Sequence, residues 1–439
     1  MIKASIDTNK LWTDLPWQSF RKILLNLQRR IYEARKNEDY QSVIKLQRLL
    51  IKSKSARFLA IQTISETMLY NTNITENYED KVLSSKEKFL LVQKLEQIEN
   101  WNHSSLNRIN LLQSNHKKKI IVIPNIEDKI VHLLIKYTLE PCCEAYFSSR
   151  SYGFRPYKNI YDAQKDIFHC LSIQNQGYQK KILKLNFEKS LEKVDHNILM
   201  SLIILPHSIK QILWKALKLG IEIKPPNSLE ETRQGKILAP LLINILLDGI
   251  ESLGDGVRYL ETVIFFIHSR DNGHNLIEKI YNFFKERSLN FKLSTIKLIT
   301  TLEGFDFIHW HFKVKSNYHS FSVPNKNNLT FIKKRIKKTL RDTRLSIEER
   351  LYKIKKIYTN WWKYHKYCDM RLIKASLWGM RKSSYKYIRK ATKISPEKSA
   401  EYIANIFNGH KYKSHGYFKK IEKQNPYNTQ YLNLINIKN

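Results

Sequence analysis

Two short apolar runs, separated by only two residues, constrain the fold more than any other feature of the sequence. They are Val257–Leu260 and Val263–Ile267, with Glu261–Thr262 between them. Strands joined by so short a connection pair as an antiparallel hairpin. Because an isolated hairpin is only marginally stable in water, it must pack on further elements. Ile182–Phe187 predicts another strand and Pro240–Leu247 a buried helix with proline in its first turn, so we expect a mixed α+β domain.

The regions on both sides of this domain have the pattern of basic helices. Apolar residues recur at helical spacing from Phe20 to Ile31 and from Val43 to Leu50, which predicts two amphipathic helices within 10–70. From Phe331 onward the same spacing returns among lysines and arginines, and Ser346 with Glu349 predicts a capping box before another helix. The segment after residue 396 is polar, basic and rich in tyrosine, and no element is predicted for it.

The charge balance indicates a polyanionic partner. The chain has 76 Lys and Arg against 40 Asp and Glu, a formal net charge of +36 at pH 7. Nucleic acid is the leading candidate, because these cations neutralise phosphates, and a merely solvated basic surface is the alternative. No apolar run approaches the ~20 residues of a membrane helix, so no membrane partner is predicted. The four cysteines form no C-x-x-C pair, so neither a metal ion nor a cofactor is predicted.

Several short motifs occur in a fixed order along the chain. They are LQRRI (27–31), LQRLL (46–50), IPNIEDKIV (123–131), LEPCCEAYF (139–147), SYGFRP (151–156), QG (234–235) with APLLIN (239–244), GFDFIHW (304–310) and NWWKY (360–364). In this order they resemble the group II intron-encoded reverse transcriptase/maturase family, from about residue 10 to 395. The departures described next resemble degenerate euglenoid plastid members, among them one encoded beside ribosomal protein genes.

The resemblance implies an α+β, right-hand polymerase-like architecture. The implied division is 10–116 as N-terminal RNA-binding and fingers extension, 117–325 as degenerate reverse transcriptase fingers and palm, 326–395 as thumb and maturase (X) domain, and 396–439 as basic tail. No counterpart of the family's endonuclease domain is found in the sequence. The oligomeric state is not predicted.

The positions that correspond to the family's catalytic carboxylates have changed. A polymerase palm holds two Mg²⁺ ions with carboxylates from a strand and a hairpin turn. Here the strand position is Asn186, and the turn pair is Glu261 and Thr262. The aromatic position near the nucleotide sugar is Leu191. Mg²⁺ prefers anionic oxygen ligands in octahedral geometry. The vestigial positions Asn186, Glu261 and Thr262 therefore predict that the chain is not a polymerase and has no catalytic residues or metal.

The predicted RNA-binding residues are basic side chains and the aromatics beside them. They are Arg29, Arg30, Lys45, Arg48, Arg57, Lys117, Lys118, Lys119, Arg155, Lys333, Lys334, Arg335, Lys337, Lys338, Arg341, Trp362, Lys363 and Tyr364. Basic groups contact phosphates, and aromatic rings stack on unpaired bases. For Trp361 we expect a place in the core, whereas Trp362 and Tyr364 suit a core and an RNA surface equally.

The predicted function is an RNA-binding maturase that assists group II intron folding and splicing after loss of reverse transcriptase activity. The alternative is a protein of maturase descent that binds another structured RNA, such as ribosomal RNA. An active reverse transcriptase is the third hypothesis, disfavoured by Asn186 and Thr262. Heavy use of Lys, Asn and Ile is typical of organelle genomes, so we expect an organelle-encoded protein of the plastid (chloroplast) stroma or, alternatively, of the mitochondrion.

Overall fold

The structure is a computed structural model of the chain. It describes residues 12–69, 83–112, 118–225, 236–268, 271, 273–290, 296–392 and 394–408. None of the helices in these ranges is long and apolar enough to span a membrane.

The N-terminal region is a helical bundle. Its helices are α1 (Trp17–Lys36), α2 (Tyr40–Ile51), α3 (Lys54–Leu69), α4 (Ser85–Lys94) and α5 (Ile126–Glu144). Between α4 and α5 lies an antiparallel hairpin of β1 (Asn107–Leu112) and β2 (Lys118–Ile123). Helix α1 packs on α2, α3 and α5 because its apolar stripe is buried among them.

A four-stranded antiparallel sheet, which we call the palm sheet, forms the centre of the molecule. Its strands are β3 (Lys181–Asn186), β4 (Gly256–Tyr259), β5 (Thr262–Ile267) and β6 (Lys297–Thr300), in the order β4-β5-β3-β6. The accompanying helices are α6 (Ile160–Cys170), α7 (His196–Leu202), α8 (His207–Lys218), α9 (Ala239–Leu246) and α10 (Gly273–Glu286). The SYGFRP loop runs beside the edge strand β4, where Tyr152 N donates to Arg258 O at 3.0 Å.

The C-terminal part combines a small sheet with four helices. The antiparallel strands are β7 (Phe305–Phe307), β8 (Trp310–Val314) and β9 (Ser320–Pro324), and the helices are α11 (Lys326–Leu340), α12 (Ile347–Tyr364), α13 (Lys374–Thr392) and α14 (Pro396–Phe407). Helix α12 begins with the predicted capping box, in which Ser346 Oγ accepts from Glu349 N and the Glu349 carboxylate accepts from Ser346 N.

The two faces of the palm sheet bury two different cores. Leu183 and Leu185 of β3 face a core shared with the N-terminal bundle, α9 and α10. Side chains alternate along a strand, so Ile182, directly before Leu183, faces a second core shared with β7–β9 and the C-terminal helices. The end of β3 that carries Asn186 is therefore held from both sides, and this end is where the candidate site lies.

The predicted mixed α+β class is confirmed, and the hairpin, the central strand and the buried helix are all present. One detail of the hairpin was wrong: the turn consists of Leu260 and Glu261, and Thr262 is already the first residue of β5. Leu260 has φ +49°, a left-handed conformation that tight hairpin turns require. The one-residue shift places Thr262 directly opposite Asn186 in the ladder.

Helices α3 and α14 are among the elements that the sequence prediction lacked. Helix α3 was missed because its apolar residues do not form one stripe: residues 58–61 are all buried, since α1, α4 and α5 surround the helix. Helix α14 lies in the segment predicted as a basic tail, where it packs on α12 and α13. It begins with Ser395 as N-cap and Pro396 in its first turn. Residues 409–439 lie outside the described residues.

Candidate functional site: the end of the palm sheet and the basic helix faces

Asn186 and Thr262 bond to each other at the end of the palm sheet. They are direct cross-strand partners, the last residue of β3 and the first of β5. Asn186 Nδ2 donates to Thr262 Oγ1 at 3.2 Å, and Phe187 N donates to Glu261 O at 2.8 Å. The amide and the hydroxyl therefore satisfy one another where two carboxylates would require a cation between them.

Glu261, the remaining carboxylate of the predicted set, is poorly suited to holding a metal ion. Its Oε2 atom is buried and has no hydrogen-bond partner among the described residues. Burial raises the pKa of Glu261 to about 7, and the negative charge of Glu188 adds to the increase. Burial therefore favours the protonated, neutral form of this carboxyl group.

The residues at this end of the sheet do not fit the pair of Mg²⁺ ions that a polymerase palm holds. The described part of the chain contains no cluster of three His, Cys, Asp or Glu side chains placed to share a metal ion. Asn186 and Thr262 offer neutral oxygens, and both already accept hydrogen bonds: Asn186 Oδ1 from Glu188 N at 3.0 Å and Thr262 Oγ1 from Asn186 Nδ2 at 3.2 Å. Mg²⁺ needs anionic oxygen ligands at short distance, so we derive no chemical step that uses it.

Directly behind the turn lies a buried polar network. Arg258, in β4, is fully buried and donates from Nε to Glu251 Oε1 at 2.5 Å and from Nη1 to Asn244 Oδ1 at 2.9 Å. Asn244, in α9, donates from Nδ2 to Gly153 O at 2.8 Å. The network joins the hairpin, the buried helix and the SYGFRP loop. It explains why a polar residue, Asn244, interrupts an otherwise apolar helix.

Gly153 of the SYGFRP loop lies against the turn itself. A Cβ atom built on Gly153 would come within 2.6 Å of Leu260 N and 2.8 Å of Leu260 Cγ. Real Cβ atoms do not approach backbone so closely, so the loop reaches the turn only because this residue is glycine.

The predicted nucleotide-side residue Leu191 belongs to the core. It is 2% exposed and follows Phe187 in a short turn of helix, in which Leu191 N donates to Phe187 O. Its side chain is an interior apolar group and offers no surface to a ligand.

The predicted RNA-binding residues of the N-terminal bundle are mostly at the surface. Arg30, Lys45 and Arg48 are exposed on α1 and α2, and Arg29 is half-buried. Lys118 and Lys119 begin β2, and Lys117 lies outside the described residues. Of the predicted residues on the bundle, Arg30, Lys45 and Arg48 are therefore the exposed cations that remain candidates for RNA contact.

Arg57 and Arg155 must be removed from the predicted RNA-binding set, because both are buried and used inside the protein. Arg57 is 6% exposed and donates to Lys52 O at 2.7 Å and to Val92 O at 3.1 Å. Arg155 is 7% exposed and forms a two-bond ion pair with Glu144, with both N–O distances 2.9 Å. A guanidinium group carries five donors, so one that is enclosed by carbonyls and a carboxylate acts as a structural clamp.

Helix α11 presents the densest exposed basic face among the described residues. The exposed predicted residues on or just after this helix are Lys333, Lys334, Arg335, Lys337, Lys338 and Arg341. Its apolar stripe of Ile332, Ile336 and Leu340 is buried against the second core. Phe331 is 58% exposed beside the basic residues, which places an aromatic ring within the cationic face.

The aromatic candidates of α12 are mainly packing residues. Tyr364 stacks on Trp310 with ring centroids 5.4 Å apart and an interplanar angle of 22°. Trp362 is half-buried, with its ring 5.9 Å from that of Tyr358. Trp361 is buried as expected, and its Nε1 donates to Asn328 Oδ1 at 2.6 Å. Lys363 is exposed.

A groove between α11 and α12 was not predicted. Its volume is about 480 Å³, and its lining includes Phe331, Arg335, Lys353, Lys356 and Asn360. Lys353 and Lys356 are three residues apart, a spacing that places them on one face of α12. That spacing was visible in the sequence, but which helix the face is turned towards was not.

Comparisons with known proteins agree with this geometry. Residues 12–95 match the family described as the N-terminal domain of reverse transcriptase, and residues 113–307 match that described as reverse transcriptase (RNA-dependent DNA polymerase). Maturase-like protein 1 of Euglena gracilis is 29% identical over 388 residues, which cover 88% of this chain and 84% of that protein. Maturase-like protein 1 of Euglena longa is 29% identical over 383 residues, 87% of this chain and 83% of that protein.

Two further similarities cover less or are weaker. The group II intron-encoded protein LtrA of Lactococcus lactis subsp. cremoris is 29% identical over 150 residues, 33% of this chain and 24% of that protein. Among solved structures, the telomerase of Candida albicans in complex with a TWJ fragment of telomeric RNA has a TM-score of 0.35 at 10% identity, covering 71% of this chain and 64% of the telomerase chain. A TM-score of this size does not by itself establish a common fold.

Proposed function

We propose that the chain is a maturase-like protein that binds folded group II intron RNA and assists its splicing. Support comes from its matches to two reverse transcriptase domain families and from its similarity to Euglena maturase-like proteins and to a group II intron-encoded protein. The observation that carries the proposal is the combination of an exposed basic face on α11 with a palm sheet whose end holds an amide–hydroxyl pair. The protein has kept a surface for RNA while the carboxylates for polymerisation have been replaced.

Such a protein acts by differential binding. A group II intron folds into an RNA that catalyses its own splicing, as the family resemblance implies. A protein that binds the active fold more tightly than misfolded forms shifts the population towards the active fold by its difference in affinity. Lysine and arginine contacts to phosphates supply the affinity, and no protein carboxylate takes part in the reaction.

We propose that reverse transcriptase activity is lost. Support comes from Asn186 and Thr262, which are paired with each other, and from Glu261, whose burial favours the protonated form. Primer extension on an RNA template with Mg²⁺ tests the proposal, and we expect no DNA product. A product that disappears in Glu261→Ala would show that Glu261 still serves a metal ion and would contradict the proposal.

We propose that RNA lies against α11. Reversing the charges of Lys333, Lys334, Arg335 and Lys337 to glutamate should weaken binding of a group II intron RNA and lower the slope of log affinity against log salt, since each phosphate contact contributes about 0.7–0.9 to that slope. The matched control reverses four exposed lysines elsewhere, namely Lys165, Lys181, Lys279 and Lys285. If both variants bind with the same slope, α11 is not the RNA face.

The identity of the RNA is tested by crosslinking the protein to RNA in its native compartment and sequencing what is bound. Reads concentrated in introns would support the maturase assignment. Reads concentrated in ribosomal RNA would favour the alternative, a structured-RNA-binding protein of maturase descent. Similarity to two Euglena maturase-like proteins supports an organelle-encoded protein, and we propose the plastid stroma as its location. Fractionation of the organelles tests this location, and recovery of the protein with mitochondria would favour the alternative.

We also propose the functional division 10–116, 117–325, 326–395 and 396–439. The N-terminal bundle and the C-terminal helices then supply RNA-binding surfaces on either side of a palm that serves as their scaffold. Helix α14 packs on the third of these units and supports it.

A further inference from the structure

A cavity of about 620 Å³ opens beside the vestigial end of the palm sheet. It lies between the palm sheet, the strands β7–β9 and the beginning of α11. Lys184 and Asn186 of β3 and Lys297 of β6 form one side, and Lys326, the first residue of α11, lies on the other. Its size is within the range of about 300–1,000 Å³ that is typical of small-molecule sites.

Two neighbouring lysines, Lys184 and Lys297, line this cavity. Lys184 and Lys297 are direct cross-strand partners in the β3–β6 ladder. Like charges directly opposite each other destabilise a sheet. Neither side chain forms a salt bridge with any described carboxylate. Lys184 is half-buried, and desolvation lowers its pKa. The negative charge of Asp306 opposes this shift, and the positive charge of Lys297 adds to it.

The cavity carries an excess of positive charge. Among the described residues that line it, Asp306 is the one carboxylate, and Asp306 Oδ1 is already 2.7 Å from His311 Nδ1. Against it stand Lys184, Lys297 and Lys326. The rest of the lining is largely apolar, including Phe305 and Leu329. An apolar wall beside a cluster of cations suits a ligand with an anionic group attached to a less polar body.

We propose that this cavity binds a phosphate group of an RNA strand directly, with Lys184 and Lys297 as its cationic partners and no metal ion between them. The inference rests on the proposed function, since it requires that the protein binds RNA. A phosphate between the two ammonium groups replaces their repulsion by two attractions. The apolar wall then accommodates the attached ribose or base.

An RNA strand is favoured over a free nucleotide by continuity of charge. Lys326 begins α11, and the exposed basic face of α11 follows within two turns, from Lys333 onward. A strand that lies along this face reaches the cavity at the beginning of the helix. A free nucleotide would use only the cations inside the cavity.

The test measures binding of a short fluorescein-labelled oligouridylate to the full chain in EDTA, by fluorescence anisotropy over a range of salt concentrations. Lys184→Gln/Lys297→Gln should weaken binding about tenfold and lower the salt slope by about 1, as loss of one phosphate contact predicts. The single variant Lys297→Gln, at an exposed edge-strand position, should show part of this loss and does not depend on tolerance of a change at half-buried Lys184. The matched control, Lys279→Gln/Lys285→Gln, removes the same charge from α10 on the other face of the palm sheet.

A second readout locates the strand. Photocrosslinking with thiouridine-substituted RNA and peptide mass spectrometry should place crosslinks within 296–306 or 323–329 in the wild type and lose them in the double variant. Equal losses in the double variant and the control, unchanged affinity in the double variant, or crosslinks confined to other segments would each overturn the inference.

Two further arms separate the sources of the ligand and the role of metal. If uridine monophosphate or inorganic phosphate occupies the cavity and oligouridylate does not, the site takes a free phosphate and the RNA assignment is wrong. If binding at the cavity requires Mg²⁺, the direct contact is wrong. Failure of the wild type to bind any RNA overturns the proposed function and this inference together, whereas normal RNA binding without these lysine effects overturns this inference alone.

Discussion

The hairpin of the palm sheet contains two polar regions only a few residues apart, and they differ in what holds them. At its tip, Thr262 accepts a part-buried hydrogen bond from Asn186 of the neighbouring strand β3, and Glu261 has a buried oxygen without a partner among the described residues. In its stem, Arg258 forms a buried ion pair with Glu251 and bonds to Asn244. The tip is the place where polymerase chemistry would occur, and the stem is part of the scaffold.

The difference shows that the scaffold does not depend on the chemistry. The contacts of Arg258 join the hairpin to α9 and, through Asn244, to the SYGFRP loop, and none of them involves a metal ion. Two carboxylates at the tip would repel each other unless a cation lay between them. An amide and a hydroxyl at the same positions need no cation. If the proposed loss of the carboxylates is right, the hairpin needs no metal ion to hold its tip together.

The largest effect is expected from breaking the stem. Arg258→Met removes the cation from a fully buried pair and leaves the Glu251 carboxylate, which is 3% exposed, without its counter-ion. Loss of one partner of such a pair costs about 3–5 kcal/mol. Chemical denaturation of the two proteins measures the difference in the free energy of unfolding.

A double variant separates the charge from the packing. In Arg258→Met/Glu251→Met no charge remains unpaired, so part of the lost stability should return. If Arg258→Met is as stable as the wild type, the buried network of the stem does not stabilise the hairpin. The stem and the tip would then not differ in their contribution to stability.

A smaller, pH-dependent effect is expected at the tip. Burial raises the pKa of Glu261 to about 7 from its ordinary 4.5. The protonated form is therefore favoured by folding, and stability is lost as the pH rises towards and through 7. Glu261→Gln should stabilise the protein by up to about 3 kcal/mol near pH 8, by less near pH 6 and not at all near pH 4.

Thermal unfolding of Glu261→Gln and the wild type across this pH range tests the prediction. The matched control is Glu188→Gln, which removes the exposed neighbouring charge and should give a much smaller change. A constant difference at all pH values would mean that the substitution acts through packing and that the Glu261 carboxyl group is not desolvated.

Motifs and periodicity predicted those elements of the fold that are determined by residues close together in the chain. The capping box at Ser346, the buried helix that begins near Pro240 and the hairpin each depend on residues close in the chain. The burial of Arg57 and Arg155 could not be predicted from the sequence. The residues around an arginine do not indicate whether its N–H groups donate to phosphates of a ligand or to carbonyl and carboxylate groups of the protein. Their partners, such as Val92 for Arg57, come from other elements.

The candidate cavity shows the same limit. Lys184 and Lys297 are 113 positions apart, and only the ladder register makes them partners. The motifs predicted that carboxylates are replaced at 186 and 262, but the hydrogen bond between Asn186 and Thr262 depends on the turn, which lies one residue earlier than predicted. Local motifs thus predicted which positions correspond to the catalytic ones, and the pairing of strands shows that two of them, Asn186 and Thr262, bond to each other.

The smallest effect is expected from the bond between Asn186 and Thr262. Asn186 is exposed, so its hydrogen bond to Thr262 competes with water and should contribute about 0.5–1 kcal/mol. A double-mutant cycle of Asn186→Ala and Thr262→Val, followed by urea denaturation, isolates this coupling from the other effects of each substitution. A coupling of zero would mean that the strand ends separate in solution, and the tip would then be an open end of the sheet. A coupling free energy as large as that between the paired side chains of the stem would mean that the amide–hydroxyl pair is a major structural contact. It would then hold β3 and β5 together, as a bound metal ion would in a polymerase palm.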